Sequence, residues 1–108
     1  MKSRLYLYDK SPYASKSFET ILKMLESHAN RGVKAGLVLL QDAVTGIVGE
    51  ISEELRELPA SVKVYALLED AKARGLADLN SLKRVTFVNY RELVNLIVNE
   101  YDHIVNYL

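Results

Sequence analysis

The sequence has 108 residues, enough for one domain with a single core. Hydrophobic residues make up 49% and charged residues 26%, with fourteen basic side chains balancing fourteen acidic ones, so the composition shows no electrostatic footprint of a nucleic-acid binder. Cysteine is absent, which excludes disulfides, thiolate metal sites and thiol nucleophiles, and His28 and His103 are too few for a histidine-built metal centre.

At the amino end, Lys2 and Arg4 precede no long apolar stretch, so no secretory signal is expected. The apolar runs fall far short of the roughly 20 residues that span a bilayer, and the cytoplasm is the expected location. Residues 4–8, rich in Tyr and Leu, read as a first strand. Phe18, Ile21, Leu22, Leu25 and Ala29 then recur at helical spacing, with Ser17 placed to cap the start and Gly32 the end. Residues 36–40 are continuously apolar, as in a strand buried on both faces.

Val44, Ile47, Val48, Ile51, Leu55 and Leu58 form a second helical stripe that begins after Asp42 and stops at Pro59. Gly46 and Gly49 fall inside it, each costing about 1 kcal/mol relative to Ala, which points to close packing there. A third strand over 62–67 leads into a short helix over 69–74, with Gly75 letting the chain turn left-handed. Residues 85–88 are the fourth strand. The last stripe, from Tyr90 and Leu93 through Tyr101 and Ile104 to Leu108, keeps helical register to the carboxyl end. The stretch 77–83 is ambiguous.

Strict alternation of strand and helix implies parallel pairing with right-handed crossovers. The expected fold is α/β: a small single-layer parallel sheet of about four strands with helices on both faces, doubly wound, forming one domain over residues 1–108. Ligands of such sheets sit beyond the carboxyl ends of the strands. Those ends carry Asp9, Gln41-Asp42, Glu69-Asp70 and Asn89-Tyr90-Arg91. The plain reading makes Asp42 and Asn89 helix N-caps, worth about 1 kcal/mol each. A second reading is a Mg²⁺ pocket with Asp9 and Asp42 as oxygen ligands, as in phosphoacceptor receiver domains. Leu68 pushes Glu69 and Asp70 out of place for the acceptor in that scheme. Neither G-x-G-x-x-G nor a P-loop occurs, and the rim carboxylates would repel an anion.

His28 lies at the edge of the first helix's apolar stripe and reads as a boundary histidine; His103 faces away from the last stripe. Neither completes a nucleophile–base–acid set, so no catalytic, cofactor or metal residue is assigned. Seven tyrosines are a heavier signal: Tyr101 and Tyr107 in the apolar tail suit either ordinary packing or an oligomer contact. Glu50, Glu53, Glu54 and Glu57 give the second helix an acidic face, either solvated or docked to a basic partner.

The block Val64-Tyr65-Ala66-Leu67-Leu68-Glu69-Asp70-Ala71-Lys72-Ala73-Arg74-Gly75-Leu76 resembles the VYAL-x-ED-x-x-ARGL block of the DsrH/TusB family of sulfur-relay subunits. Gln41-Asp42-Ala43-Val44 is similar to the family's Q-D-G-V turn, with Ala43 in place of glycine. Ser11-Pro12-Tyr13 and the segment from Val88-Asn89-Tyr90 to Leu93-Val94 match further family elements in order. The resemblance implies a DsrE-like fold and a complex with DsrE/TusD-like and DsrF/TusC-like subunits, often a heterohexamer. It implies service in 2-thiolation of tRNA wobble uridine or in sulfur oxidation. Lacking cysteine, this chain would act there as a non-catalytic scaffold, with no direct nucleic-acid or membrane contact expected. Gln41, Asp42, Glu69, Asp70 and Arg74 become interface or rim residues, Arg74 pairing across a subunit boundary or locally with Asp70 at i,i+4. The alternative reading is a stand-alone homo-oligomeric domain that binds a small ligand at the strand rim.

Overall fold

A computed structural model describes residues 2–77 and 83–108, so most of the ambiguous stretch, 78–82, lies outside the described residues. The elements are β1 (Arg4–Tyr8), α1 (Ser17–Asn30), β2 (Ala35–Leu39), a 3₁₀ turn (Gln41–Ile47), α2 (Glu50–Glu57), β3 (Lys63–Leu67), α3 (Leu68–Ala73), β4 (Val85–Val88), α4 (Tyr90–Asn95), a π-helical turn (Leu96–Glu100) and β5 (His103–Tyr107). The five strands form one sheet in the order β4-β3-β2-β1-β5. Every neighbouring pair is parallel.

This order follows from the handedness of crossovers. From β1 to β4 the chain steps steadily to one side, so right-handed connections put α1, the 3₁₀ turn and α2 on one face. The return from β4 to β5 reverses direction and carries α4 to the opposite face. Side-chain alternation along each strand feeds both layers. Tyr6, Tyr8, Leu37, Leu39, Val64 and Ala66 meet Phe18, Ile21, Leu25, Val44 and Leu55 on the first face. Leu5, Leu7, Val38, Leu67 and Val88 meet Leu93 and Tyr101 on the second. β2 is buried throughout, as its uninterrupted apolar run requires.

Two elements differ from the sequence reading. The terminal stripe is not one helix: α4 passes through a π turn, and His103–Tyr107 is a fifth strand. Five residues with Ile104, Val105 and Tyr107 at their apolar positions satisfy a helical or an extended pattern about equally. The outer edge of β1 decides between them, because its backbone groups would otherwise be buried without partners. β5 pairs along all five positions of β1, from Arg4↔His103 to Tyr8↔Tyr107. Ser3 fastens the junction: its N–H and Oγ–H donate to the Asp102 carboxylate at 2.9 and 3.2 Å, and Asp102 N–H donates to Ser3 Oγ at 2.9 Å.

The second stripe is likewise divided. The 3₁₀ turn ends at Ile47, and α2 begins only after Gly49, at φ 76° and ψ −157°. That conformation is essentially restricted to glycine, and the Tyr13 hydroxyl occupies the space a Cβ would need. Tyr13 donates to Val48 O and accepts from Ile51 N–H, so its ring bolts the loop after β1 onto the break. Gly46 does reflect close packing, its α-carbon facing Pro12 and Ile51. Ser17 is the first residue of α1 rather than its cap; its hydroxyl meets Ser15 Oγ at 2.7 Å and Tyr8 Oη at 3.2 Å. Leu58 is extended ahead of Pro59, which ends α2 as expected.

Gly49→Ala should therefore destabilise the protein by about 1–3 kcal/mol, the usual cost of a side chain in that backbone region. Urea denaturation measures it, and a loss under about 0.5 kcal/mol would show that the break tolerates a Cβ.

Candidate functional site

Parallel strands bring the ends of β1 to β4 to one rim, and with them the sequence-predicted residues Gln41, Asp42, Glu69, Asp70 and Arg74. α3 starts directly from the end of β3, which projects Glu69 and Asp70 toward the loops on either side. The Asp70 carboxylate accepts the Gln41 N–H at 2.6 Å, a short charge-assisted bond. It holds Gln41 at φ 48°, the left-handed region that non-glycine residues rarely enter. Four residues on, Arg74 reaches back: Nη1 donates to Asp70 O at 3.1 Å and Nη2 to Asp42 Oδ1 at 3.0 Å.

Two expectations change here. The residue preceding the 3₁₀ turn is Leu40, so Asp42 is no helix cap; its carboxylate pairs with Arg74 instead. The local partner considered for Arg74, the Asp70 carboxylate, faces Gln41, and from Asp70 Arg74 takes the backbone oxygen. Gly75 at φ 69° makes the geometry reachable, ending α3 with its own N–H on Lys72 O and Leu76 N–H on Ala71 O. Asn89 is a cap as expected, and exchanges bonds with Glu92 in a full capping box.

The same pattern repeats along the rim. Glu69 accepts a long bond, 3.4 Å, from Tyr90 N–H between the diverging ends of β3 and β4. Lys10 lies 3.6 Å from Asp9 and donates to Tyr107 O at 3.2 Å, joining the ends of β1 and β5. Asp9 and Asp42 thus each face a cation, and among the described residues no group of three or more His, Asp and Glu side chains is arranged to hold a metal ion. Chemically the rim is a set of clamps between successive loops, in which Asp9, Asp42, Glu69, Asp70 and Arg74 are engaged within the molecule.

Tyr101 and Tyr107 are not part of this rim cluster. Tyr101 is 6% exposed on the α4 face, against Gly36, with its hydroxyl 3.5 Å from that of Tyr65. Burial pushes its phenol far above the ordinary value. Tyr107 stacks on Tyr6 at 6.2 Å between ring centres, and Tyr6 Oη lies 2.7 Å from His28 Nε2. Burial, with Arg4 and Arg31 nearby, holds the His28 imidazole below its ordinary 6.5, and its Nε2 shares one hydrogen bond with the Tyr6 hydroxyl. Sequence reasoning set His28 at a boundary but missed this partner, since nothing local links positions 6 and 28. It also missed the Tyr13 bolt.

Comparison with known proteins gives consistent matches. The family model described as DsrH like protein matches residues 10–103. Protein TusB of Escherichia coli K12 is 35% identical over 96 residues, covering 87% of this chain and 90% of that protein. Protein TusB of Pectobacterium atrosepticum matches to the same extent. Among solved structures, the ychN protein of E. coli superposes with a TM-score of 0.87 at 21% identity, over 99% of this chain and 100% of that one. A conserved protein of unknown function from Bacteroides thetaiotaomicron gives 0.79 at 16% identity, over 97% and 94%. At such identities these two structures speak for the fold alone.

The clamps make unequal contributions that mutation can rank. Asp42→Ala removes an ion pair whose carboxylate is 69% exposed and should cost under about 1 kcal/mol. Asp70→Ala strips the support from a left-handed residue and should cost about 1.5–3 kcal/mol; equal losses in thermal denaturation would refute that ranking. For His28, the depressed folded-state value means its contribution is complete above about 6.5 and fades as pH falls through that lower value. His28→Gln should flatten the stability profile below about pH 6.5, and an NMR titration giving His28 a value above 6.5 would reverse the sign.

Proposed function

The chain belongs to the DsrH-like family, and from that membership we propose that it is a non-catalytic subunit of a sulfur-relay complex. The observation that carries the reading is chemical: relays of this kind pass persulfides between cysteines, and this sequence has none. Sulfur would travel on partner subunits of DsrE/TusD and DsrF/TusC type in a cytoplasmic assembly, a heterohexamer by analogy. The complex serves tRNA wobble-uridine thiolation or sulfur oxidation, and this chain completes the assembly and shapes its docking surfaces.

The rim supports a scaffold role. Among the residues that carry the family resemblance, the Gln41 N–H, the Asp42 and Asp70 carboxylates and the Arg74 guanidinium tie two loops together. Rigid loops at the strand ends are what a partner surface needs, because ordering them on association would subtract from affinity. The described helices include none long and apolar enough to cross a membrane.

Native mass spectrometry of the protein isolated gently from its own cells tests the proposal. A mixed complex with two related small subunits, at least one with a reactive cysteine, is the expected result. A pure homo-oligomer or a monomer would overturn it and turn attention to a small ligand at the rim.

A further inference from the structure

Composition averages charge over the chain, whereas the sheet sorts it. Because all strands are parallel and in register from Arg4↔Ala35 and Arg4↔His103 to Gly36↔Lys63 and Val64↔Val85, every strand begins at one edge. Lys2 and Arg4 lead into β1, Lys34 into β2 and Lys83 into β4, and Lys63 opens β3; Arg31, just past α1, stands beside them. We propose that this amino edge binds the sugar–phosphate backbone of a nucleic acid, a role that goes beyond the relay reading and does not depend on it.

Neighbouring strands lie about 4.8 Å apart, so the row across the four strand starts extends for roughly 14 Å, the span of a few phosphates. Lys2, Arg31, Lys34, Lys63 and Lys83 are exposed and Arg4 is half-buried. Lys34 is pre-positioned, its ammonium 4.6 Å above the Tyr101 ring and 3.2 Å from Glu100 O. Arg84, which also lies here, is not available: its Nη2 is spent on the carbonyls of Leu58, Pro59 and Val62. Opposing charge at the edge comes from Glu100 and from Asp102, the latter already bonded to Ser3. Glu19, Glu26, Glu54 and Glu57 line a separate groove between α1 and α2. A shallow cavity of about 320 Å³, lined by Ala29, Gly32, Val33, Lys34 and Ser61, indents the row and offers a seat for a phosphate or ribose.

Lysine-rich rows without exposed aromatics suit phosphates better than protein, since protein interface cores favour aromatics and Arg and are depleted in Lys. A membrane face would pair such cations with apolar anchors. The exposed large apolar side chains among the described residues, Tyr13, Met24, Tyr90, Val94, Val98 and Leu108, belong to no strand start.

Fluorescence anisotropy of the full chain with a short labelled RNA duplex tests the proposal. A dissociation constant on the order of 10⁻⁵ M is expected, with a log–log salt slope of about −4 for four to five phosphate contacts. The triple variant Lys2→Gln/Lys63→Gln/Lys83→Gln should make that slope shallower by about 3. A control of equal net charge, Lys16→Gln/Lys23→Gln/Lys72→Gln, should leave it unchanged, and circular dichroism verifies that both fold. Three outcomes overturn the inference: no binding at low salt, equal losses in the two triples, or binding to anionic phospholipid vesicles but not to the duplex.

Discussion

The double pairing of β1, with β2 on one edge and β5 on the other, holds the two ends of the chain in one sheet. β1 carries large side chains into both layers, with Leu5 and Leu7 toward α4 and Tyr6 and Tyr8 toward α1. A strand buried on both faces and paired on both edges leaves no backbone group unsatisfied. The Ser3–Asp102 bonds lie where that pairing begins and join residues 99 positions apart. Loss of β5 would bare the edge of β1 and remove the Tyr107 ring that stacks on Tyr6.

Parallel direction has a second consequence, separating the two ends of the sheet chemically. At the carboxyl rim each carboxylate of the predicted set finds a donor within the chain: Asp42 with Arg74, Asp70 with Gln41, Glu69 with Tyr90. At the amino edge the cations of the strand starts mostly face solvent. A chain of zero formal net charge is thus electrically uneven. The feature is invisible in the composition because the cations there are offset by glutamates elsewhere, notably on α2.

The family motif acquires a mechanical meaning in this setting. Its glycine, Gly75, turns the chain after α3; its arginine crosses to the preceding loop; its aspartate pins Gln41 in a strained conformation. Strain of that sort persists only where surroundings over-determine it. The motif therefore specifies the geometry of the loops at the strand-end rim.

Local chemistry alone settled much of this protein. Runs such as residues 36–40 and 85–88 announce strands, Asn89 with Glu92 announces a helix start, Gly75 a helix end, and the missing cysteine removes thiol chemistry. Each of these signals acts within a few residues of its cause. Tertiary structure alone decided the rest: that His103–Tyr107 is a strand, that Asp42 pairs with Arg74 rather than capping a helix, and that scattered lysines line one edge. Short segments fit periods of 2 and 3.6 alike, and an ion pair or a ladder hydrogen bond depends on a partner that only the folded chain brings near.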